Sequence, residues 1–304
     1  MSSRRSETLL EGLNPQQSAA VTHIGGPLLV VAGAGSGKTR VLTRRIAYLM
    51  AERDIQPFEI LAITFTNKAA GEMKERVSQL VGNRAKIMWV STFHSACVRI
   101  LRQEAVRLGF SPTFSIYDQA DSLRLVTLVM RDLNLDPKRY NPRGVASVIS
   151  NAKNELLGPA DYRNATQNSF EEVVSEVYAI YQQRLTAANA MDFDDLIMKT
   201  VEVLQKFPEA RARYRHRFKH ILVDEYQDTN HAQYILIREL VGTDREGIPA
   251  AELCVVGDAD QSIYGFRGAT IRNIMQFEED YPNATTILLE QNYRSTQNLS
   301  LIHI

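Results

Sequence analysis

Val30-Val31-Ala32-Gly33-Ala34-Gly35-Ser36-Gly37-Lys38-Thr39 runs from an apolar strand into a glycine-rich turn that closes on Gly-Lys-Thr. Such a turn points successive backbone N–H groups inward as an anion cradle. Lys38 then reaches the β- and γ-phosphates of a nucleotide, and the Thr39 hydroxyl can ligate Mg²⁺. The strict pattern has glycine where Ala32 stands, but a small residue is kept. The competing reading is a glycine-rich β-turn with an incidental lysine. The apolar lead-in from Leu28 to Val31 and the helical pattern that follows favour phosphate binding. The chain is therefore expected to bind a nucleoside triphosphate.

Outward from this turn, short β-rich runs recur at Leu28–Val31, Ile60–Phe65, Ile87–Val90, His220–Val223, Leu253–Val256 and Thr286–Leu289. Helical patterns such as Arg40–Met50 and Lys68–Leu80 lie between several of them. Strands alternating with helices predict an α/β fold with a parallel sheet. Residues ~115–190 differ, with amphipathic stretches at Gln119–Leu133, Val145–Glu155 and Phe170–Ala187 and few strand candidates. They read as a mostly helical subdomain inserted into the α/β domain. The basic run Arg211–Lys219 reads as the solvated end of a helix rather than as a phosphate-binding stripe.

Ile221-Leu222-Val223 ends in Asp224-Glu225. An apolar strand delivering two acids is what a phosphate turn needs opposite it: one carboxylate for Mg²⁺, one to polarise the attacking water. More than half the chain separates Lys38 from Asp224, which again requires an insertion. Val255-Val256-Gly257-Asp258 repeats the strand-then-polar-turn arrangement. It continues to Gln261, suited to sensing a γ-phosphate, and to Tyr264, Phe266 and Arg267, which offer stacking faces for bases. Core aromatics with a surface arginine are the alternative for that cluster.

Composition adds limits. The formal net charge is zero and 44% of residues are hydrophobic, so any nucleic-acid partner must be argued from local sites. The two cysteines, Cys97 and Cys254, lie far apart in apolar stretches and read as buried thiols of a reducing compartment. The N-terminus has no apolar signal core and no run nears 18 apolar residues, so the expectation is a soluble cytoplasmic chain without a membrane partner.

Eight ordered motifs go beyond generic chemistry: Leu13-Asn14-Pro15-Gln16-Gln17, Ala32–Thr39, Thr64–Ala70, Ser91-Thr92-Phe93-His94-Ser95, Asp192-Phe193-Asp194-Asp195-Leu196, Val223–Thr229, Gly257–Ala269 and Gln291-Asn292-Tyr293-Arg294-Ser295. Together they resemble the UvrD/PcrA/Rep-like superfamily 1 DNA helicases over nearly the whole chain.

The resemblance implies an ATP- and Mg²⁺-dependent 3′→5′ DNA helicase of DNA repair or replication. Its partners would be single-stranded DNA, junctions of single- and double-stranded DNA, and repair proteins. It implies that Gln17 reads adenine while Arg40 and Tyr293 sandwich the ring. Ala32, Gly33, Ala34, Gly35, Ser36, Gly37, Lys38 and Thr39 hold phosphates, Thr39 and Asp224 the metal. Glu225 activates water, Gln227 and Gln261 couple the γ-phosphate to DNA, and Arg294 acts as an arginine finger. Phe65, Thr66, Asn67, Thr92, Phe93, His94, Tyr264, Phe266 and Arg267 line a single-strand channel. Many relatives carry Trp where Phe266 stands; Phe keeps a stacking face of smaller area.

The implied architecture is a RecA-like P-loop NTPase domain at 1–114 and 191–285, interrupted by the helical subdomain at 115–190. A second RecA-like domain would begin at 286–304 and be carried only as its opening segment. Alternatives stay open at this point: an ATP- and single-strand-binding module without turnover, the helicase portion of a RecB/AddA-like helicase–nuclease, and an unrelated P-loop kinase. The kinase leaves Gln17 and the Gln261–Arg267 cluster without a role.

Overall fold

The structure, a computed structural model, describes residues 8–33, 35–243, 247–258 and 271–291, with the backbone alone at 271–275. Among them are eight strands: β1 (Leu28–Ala32), β2 (Ile60–Thr64), β3 (Trp89–Thr92), β4 (Ser115–Tyr117), β5 (Ala190–Asp192), β6 (His220–Val223), β7 (Glu252–Gly257) and β8 (Thr285–Leu289). The α-helices are α1 (Pro15–Thr22), α2 (Lys38–Glu52), α3 (Asn67–Val81), α4 (Phe93–Glu104), α5 (Gln119–Asp132), α6 (Pro142–Asn154), α7 (Pro159–Ala165), α8 (Ser169–Ala187), α9 (Phe193–Lys206), α10 (Pro208–Arg217), α11 (His231–Val241) and α12 (Ile271–Asp280).

Two compact units result. One comprises the described residues up to Ala96, Ala212–Thr229 and those from Leu240 onward; the other comprises Cys97–Arg211 and Asn230–Glu239. In the first, six strands form one sheet in the order β3-β2-β6-β7-β1-β8. Every neighbouring pair is parallel. The residues of β2 and β6 are all buried, the near-continuous apolar runs that a parallel sheet covered on both faces demands. Helix α3 starts where the Thr66 side chain accepts from the Ala69 N–H, and its Ala70, Met73 and Val77 form a buried stripe at three- and four-residue spacing. Helix α2 buries Val41, Leu42, Ile46 and Leu49 in the same core as Leu28, Val30, Ile60, Ala62 and Leu222. Each such side chain contributes about 1.5–3 kcal/mol by leaving water.

The second unit is built on α5, α6 and α8, whose Val126, Val129, Val145, Ile149, Val174, Val177 and Tyr178 share one core. Its short parallel pair β4–β5 has no counterpart in the sequence expectation. Lys153, wholly buried, reaches Asp192 at 2.7 Å and Asp195 at 2.9 Å, while the Tyr181 hydroxyl donates to Asp192. Although burial works against its charge, the Asp195 and Asp192 carboxylates hold the Lys153 ammonium above its ordinary value.

The expected limits shift. Helix α9, counted with the α/β domain on sequence, belongs to the second compact unit, and the limits after Ala96 and Arg211 fall inside helices α4 and α10. Strand β8 pairs with β1 from Leu28↔Thr285 to Ala32↔Leu289, so the sheet runs past the boundary expected at 285/286. The third run begins at Trp89 because Ile87 ends a 3₁₀ turn. Both cysteines are buried and free. Among the described residues no helix is long and apolar enough to cross a membrane.

Candidate nucleotide-binding site

The parallel sheet brings the sequence-predicted residues to one edge. At the carboxyl ends of β1, β6 and β7 stand the glycine turn, Asp224-Glu225 and Asp258 in turn, where open α/β sheets bind ligands. The turn leaves β1 through Gly33 and re-enters regular structure at Lys38. Gly35 and Gly37 have φ of 77° and 89°, in the left-handed region that a Cβ disfavours. The Ser36 hydroxyl donates to the Gly33 carbonyl at 2.7 Å and closes the turn. Gly37 is the N-cap of α2 and offers no side chain, so the helix begins with N–H groups for which no side chain of the cap competes.

Lys38 sits among acids. Its Nζ is 2.8 Å from Asp258 Oδ2 and 3.5 Å from Glu225 Oε2. The Gln227 amide completes a ring: Nε2 donates to Glu225 Oε2 at 2.8 Å, and Oε1 accepts from the Asp258 N–H at 2.9 Å. Asp258 and Gln227 are buried, whereas Glu225 is 36% exposed on its side chain. Glu225 adopts φ 49°, ψ 45° without being glycine. That conformation costs on the order of 1–3 kcal/mol and is held where the surroundings impose it, as at reactive sites. Burial pushes the Asp224 carboxyl up to about 6, with the Glu225 charge adding to it and the Glu225 N–H and Lys38 opposing.

Three carboxylates around one lysine leave a surplus of negative charge and hard oxygen donors. Thr39, at the head of α2, adds a hydroxyl. No three-sided metal cluster occurs among the described residues. Hard oxygen donors and surplus negative charge are the chemistry that suits a small hard cation.

Gln17 is fully buried, and its amide is engaged on both sides. Oε1 accepts from the Asn14 N–H at 3.2 Å, and Nε2 donates to the Ser36 carbonyl at 2.9 Å. It is thus attached directly to the glycine turn. Arg40 is exposed on the first turn of α2.

Two strands along, Thr64 of β2 pairs with Thr92 of β3, which brings Phe65-Thr66-Asn67 beside Phe93-His94. Thr66 and Asn67 are exposed; Phe65 and His94 are half-buried. Thr92 and Phe93 are buried. Phe93 packs edge-on against Phe65 at 5.5 Å, and Thr92 accepts from the Ser95 N–H at the start of α4. Both support this face from beneath. Burial lowers the His94 imidazole below its ordinary value. Ala34, Gln261, Tyr264, Phe266, Arg267, Tyr293 and Arg294 lie outside the described residues.

Residues 13–282 match the UvrD/REP helicase N-terminal domain. The chain belongs to this family. It is 65% identical over 298 residues to the ATP-dependent DNA helicase UvrD1 of Mycobacterium tuberculosis, covering 96% of this chain and 39% of that protein. It is 60% identical to UvrD1 of Mycobacterium leprae over 305 residues, with the same coverage. To the ATP-dependent DNA helicase PcrA of Bacillus subtilis it is 54% identical over 294 residues, 97% of this chain and 39% of that protein. It thus spans about 39% of the length of these relatives, and its six-stranded parallel sheet is the RecA-like part of the UvrD/REP architecture.

Sequence reasoning missed one member of the ring. Asp258 was passed over, although Gly257-Asp258 repeats the strand-then-acid order of Val223-Asp224 and that repetition was the available signal.

Proposed function

We propose that this chain is the nucleotide-binding motor part of an ATP-dependent 3′→5′ DNA helicase of DNA repair or replication. In this reading, the compact unit with the six-stranded sheet is the ATPase lobe and the helical unit is inserted into it. The N–H groups at the head of α2 and the Lys38 ammonium bind the triphosphate, with Lys38 exchanging its carboxylate partners for phosphate oxygens. Thr39 and Asp224 hold Mg²⁺, which when bound neutralises charge on the β- and γ-phosphates. Glu225 accepts the proton of the attacking water, its carboxylate oriented by the Gln227 amide. Gln17 reads the adenine edge, and Arg40 and Tyr293 flank the ring. Arg294 stabilises charge on the transferring phosphoryl group.

Phe65, Thr66, Asn67 and His94, with Tyr264, Phe266 and Arg267, face single-stranded DNA. Gln227 and Gln261 couple phosphate to that face. The partners are single-stranded DNA, its junctions with duplex, and repair proteins. The observation that carries the reading is the closed ring Lys38–Asp258–Gln227–Glu225 on the same sheet edge as the β2–β3 face. In the full-length protein, Lys38→Ala is expected to abolish ATP hydrolysis while single-strand binding largely persists. Hydrolysis close to wild type would overturn the proposal.

A further inference from the structure

Helix α1 carries Gln17 and is eight residues long, too short to hold its place by its own hydrogen bonds. Its head is fixed by reciprocal bonds between Asn14 and Gln17, and Gln17 Nε2 ties it to Ser36. The approach is close: a Cβ on Gly37 would lie 2.8 Å from Gln17 Nε2. Its tail has no basic residue of its own in the last turn. The carbonyls there are taken by Arg45, on the third turn of α2. Arg45 Nη1 donates to His23 O at 2.8 Å and Ala20 O at 3.0 Å, with Val21 O at 3.4 Å. The guanidinium is 2% exposed, and its Nη2 lies 3.7 Å from Glu252 at the start of β7. Arg44, the preceding residue, does the same for the carbonyls of Leu9 and Glu11. A permanently charged planar fork suits the negative end of a helix, where several carbonyls converge.

We infer that Arg45 is a positioning residue for the nucleobase: it fixes α1 by its tail to the helix that opens with the phosphate lysine. Gln17 is thereby held in register with the phosphate turn. The inference rests on the reading of Gln17 as the residue that meets the base. Without Arg45, the tail carbonyls of α1 lose their donor and the tail is left to the packing of Ala20 and Val21 in the core, which is non-directional and lets it shift or rotate. A base hydrogen bond tolerates little of this, whereas the phosphate grip, built from the turn and Lys38, is left intact.

The test is equilibrium binding of mant-ATP, mant-GTP and inorganic tripolyphosphate to this chain in Mg²⁺ buffer, with thermal unfolding of each variant. Arg45→Met, similar in length and without donors, should lower the preference for mant-ATP over mant-GTP about tenfold, a change of 1.4 kcal/mol. Its tripolyphosphate affinity should stay within about twofold. Gln17→Ala should lose the same preference, and the double variant should lose no more, because the two residues act through one contact. Arg45→Lys keeps the charge but not the fork; it should fold and fall between wild type and Arg45→Met.

A wild-type preference in both Arg45 variants overturns the inference. So does an equal loss of all three ligands, which marks a purely structural arginine, or additive effects in the double variant. A wild-type preference in Gln17→Ala removes the base-reading role itself, and the inference with it.

Discussion

The contact between Lys38 and Asp258 makes Lys38 a structural cation, beside the phosphate-binding role proposed for it. Asp258 is fully buried, and Lys38 Nζ lies 2.8 Å from its Oδ2. At an effective dielectric of about 20 their attraction is about 6 kcal/mol. Removing one partner of such a buried pair costs about 3–5 kcal/mol, because the other charge loses its counter-charge. The Lys38 side chain is 12% exposed and Asp258 keeps a further partner, so the lower end applies. Lys38→Ala should therefore destabilise the chain by about 3 kcal/mol without added nucleotide, or roughly 5 °C in Tm for a chain of 304 residues. Lys38→Ala/Asp258→Asn should recover at least about half of that, since the buried negative charge that Lys38 balanced is gone, yet should not regain ATP binding. The assay is urea denaturation followed by the fluorescence of Trp89, the one tryptophan in the sequence, buried at the start of β3 in the same sheet. A Lys38→Ala chain as stable as wild type, or a double variant no more stable than the single, would refute the reasoning.

Three further outcomes are expected. Lys153→Met, which strands Asp192 and Asp195, should cost about 3–5 kcal/mol in the same denaturation assay, and Lys153→Met/Asp195→Asn should regain part of it; a cost below about 1 kcal/mol would contradict the buried pairing. Burial pushes His220 down to about 4, with Arg53 and Arg45 adding to it against Glu252. Its folded value lies below the unfolded one of about 6.5, so its stabilisation is present above about pH 6.5 and lost as pH falls through 4, a change of up to about 3 kcal/mol. His220→Gln should flatten the acid side of the stability profile measured between pH 7 and 4, and an unchanged profile would count against it. Gly37→Ala meets both a φ of 89° and a Cβ contact at 2.8 Å, and calorimetry should find Mg·ATP binding weakened at least about tenfold; unchanged affinity would show that the turn adapts.

What could be read from the sequence was whatever local chemistry repeats. The glycine turn declares itself because its glycines take left-handed φ before a helix, and strands such as β2 and β6 because buried parallel strands are near-continuous apolar runs. The Asp224-Glu225 pair was legible as a strand end. Asp258 was not recognised as Lys38's partner, since a pairing across 220 positions leaves no periodicity. Lys153 lies in an amphipathic helical stretch, and nothing nearby in the sequence announces that it is buried against the Asp192–Asp195 capping box. The strands β4 and β5 are three residues each, too short to alternate visibly. The unit limits at Ala96 and Arg211 fall inside continuous helices, where no turn residue marks them.

Glu225 gives the most direct test of the central claim that the ring at the sheet edge is a hydrolytic site. In the full-length protein, Glu225→Gln keeps the shape and the hydrogen bond to Gln227 but removes the base. Steady-state ATP hydrolysis with saturating single-stranded DNA should fall by about 10²–10⁴-fold. ATP affinity should remain within about threefold, since phosphate contacts are untouched. Turnover near the wild-type rate, or loss of ATP binding in parallel with turnover, would contradict the account.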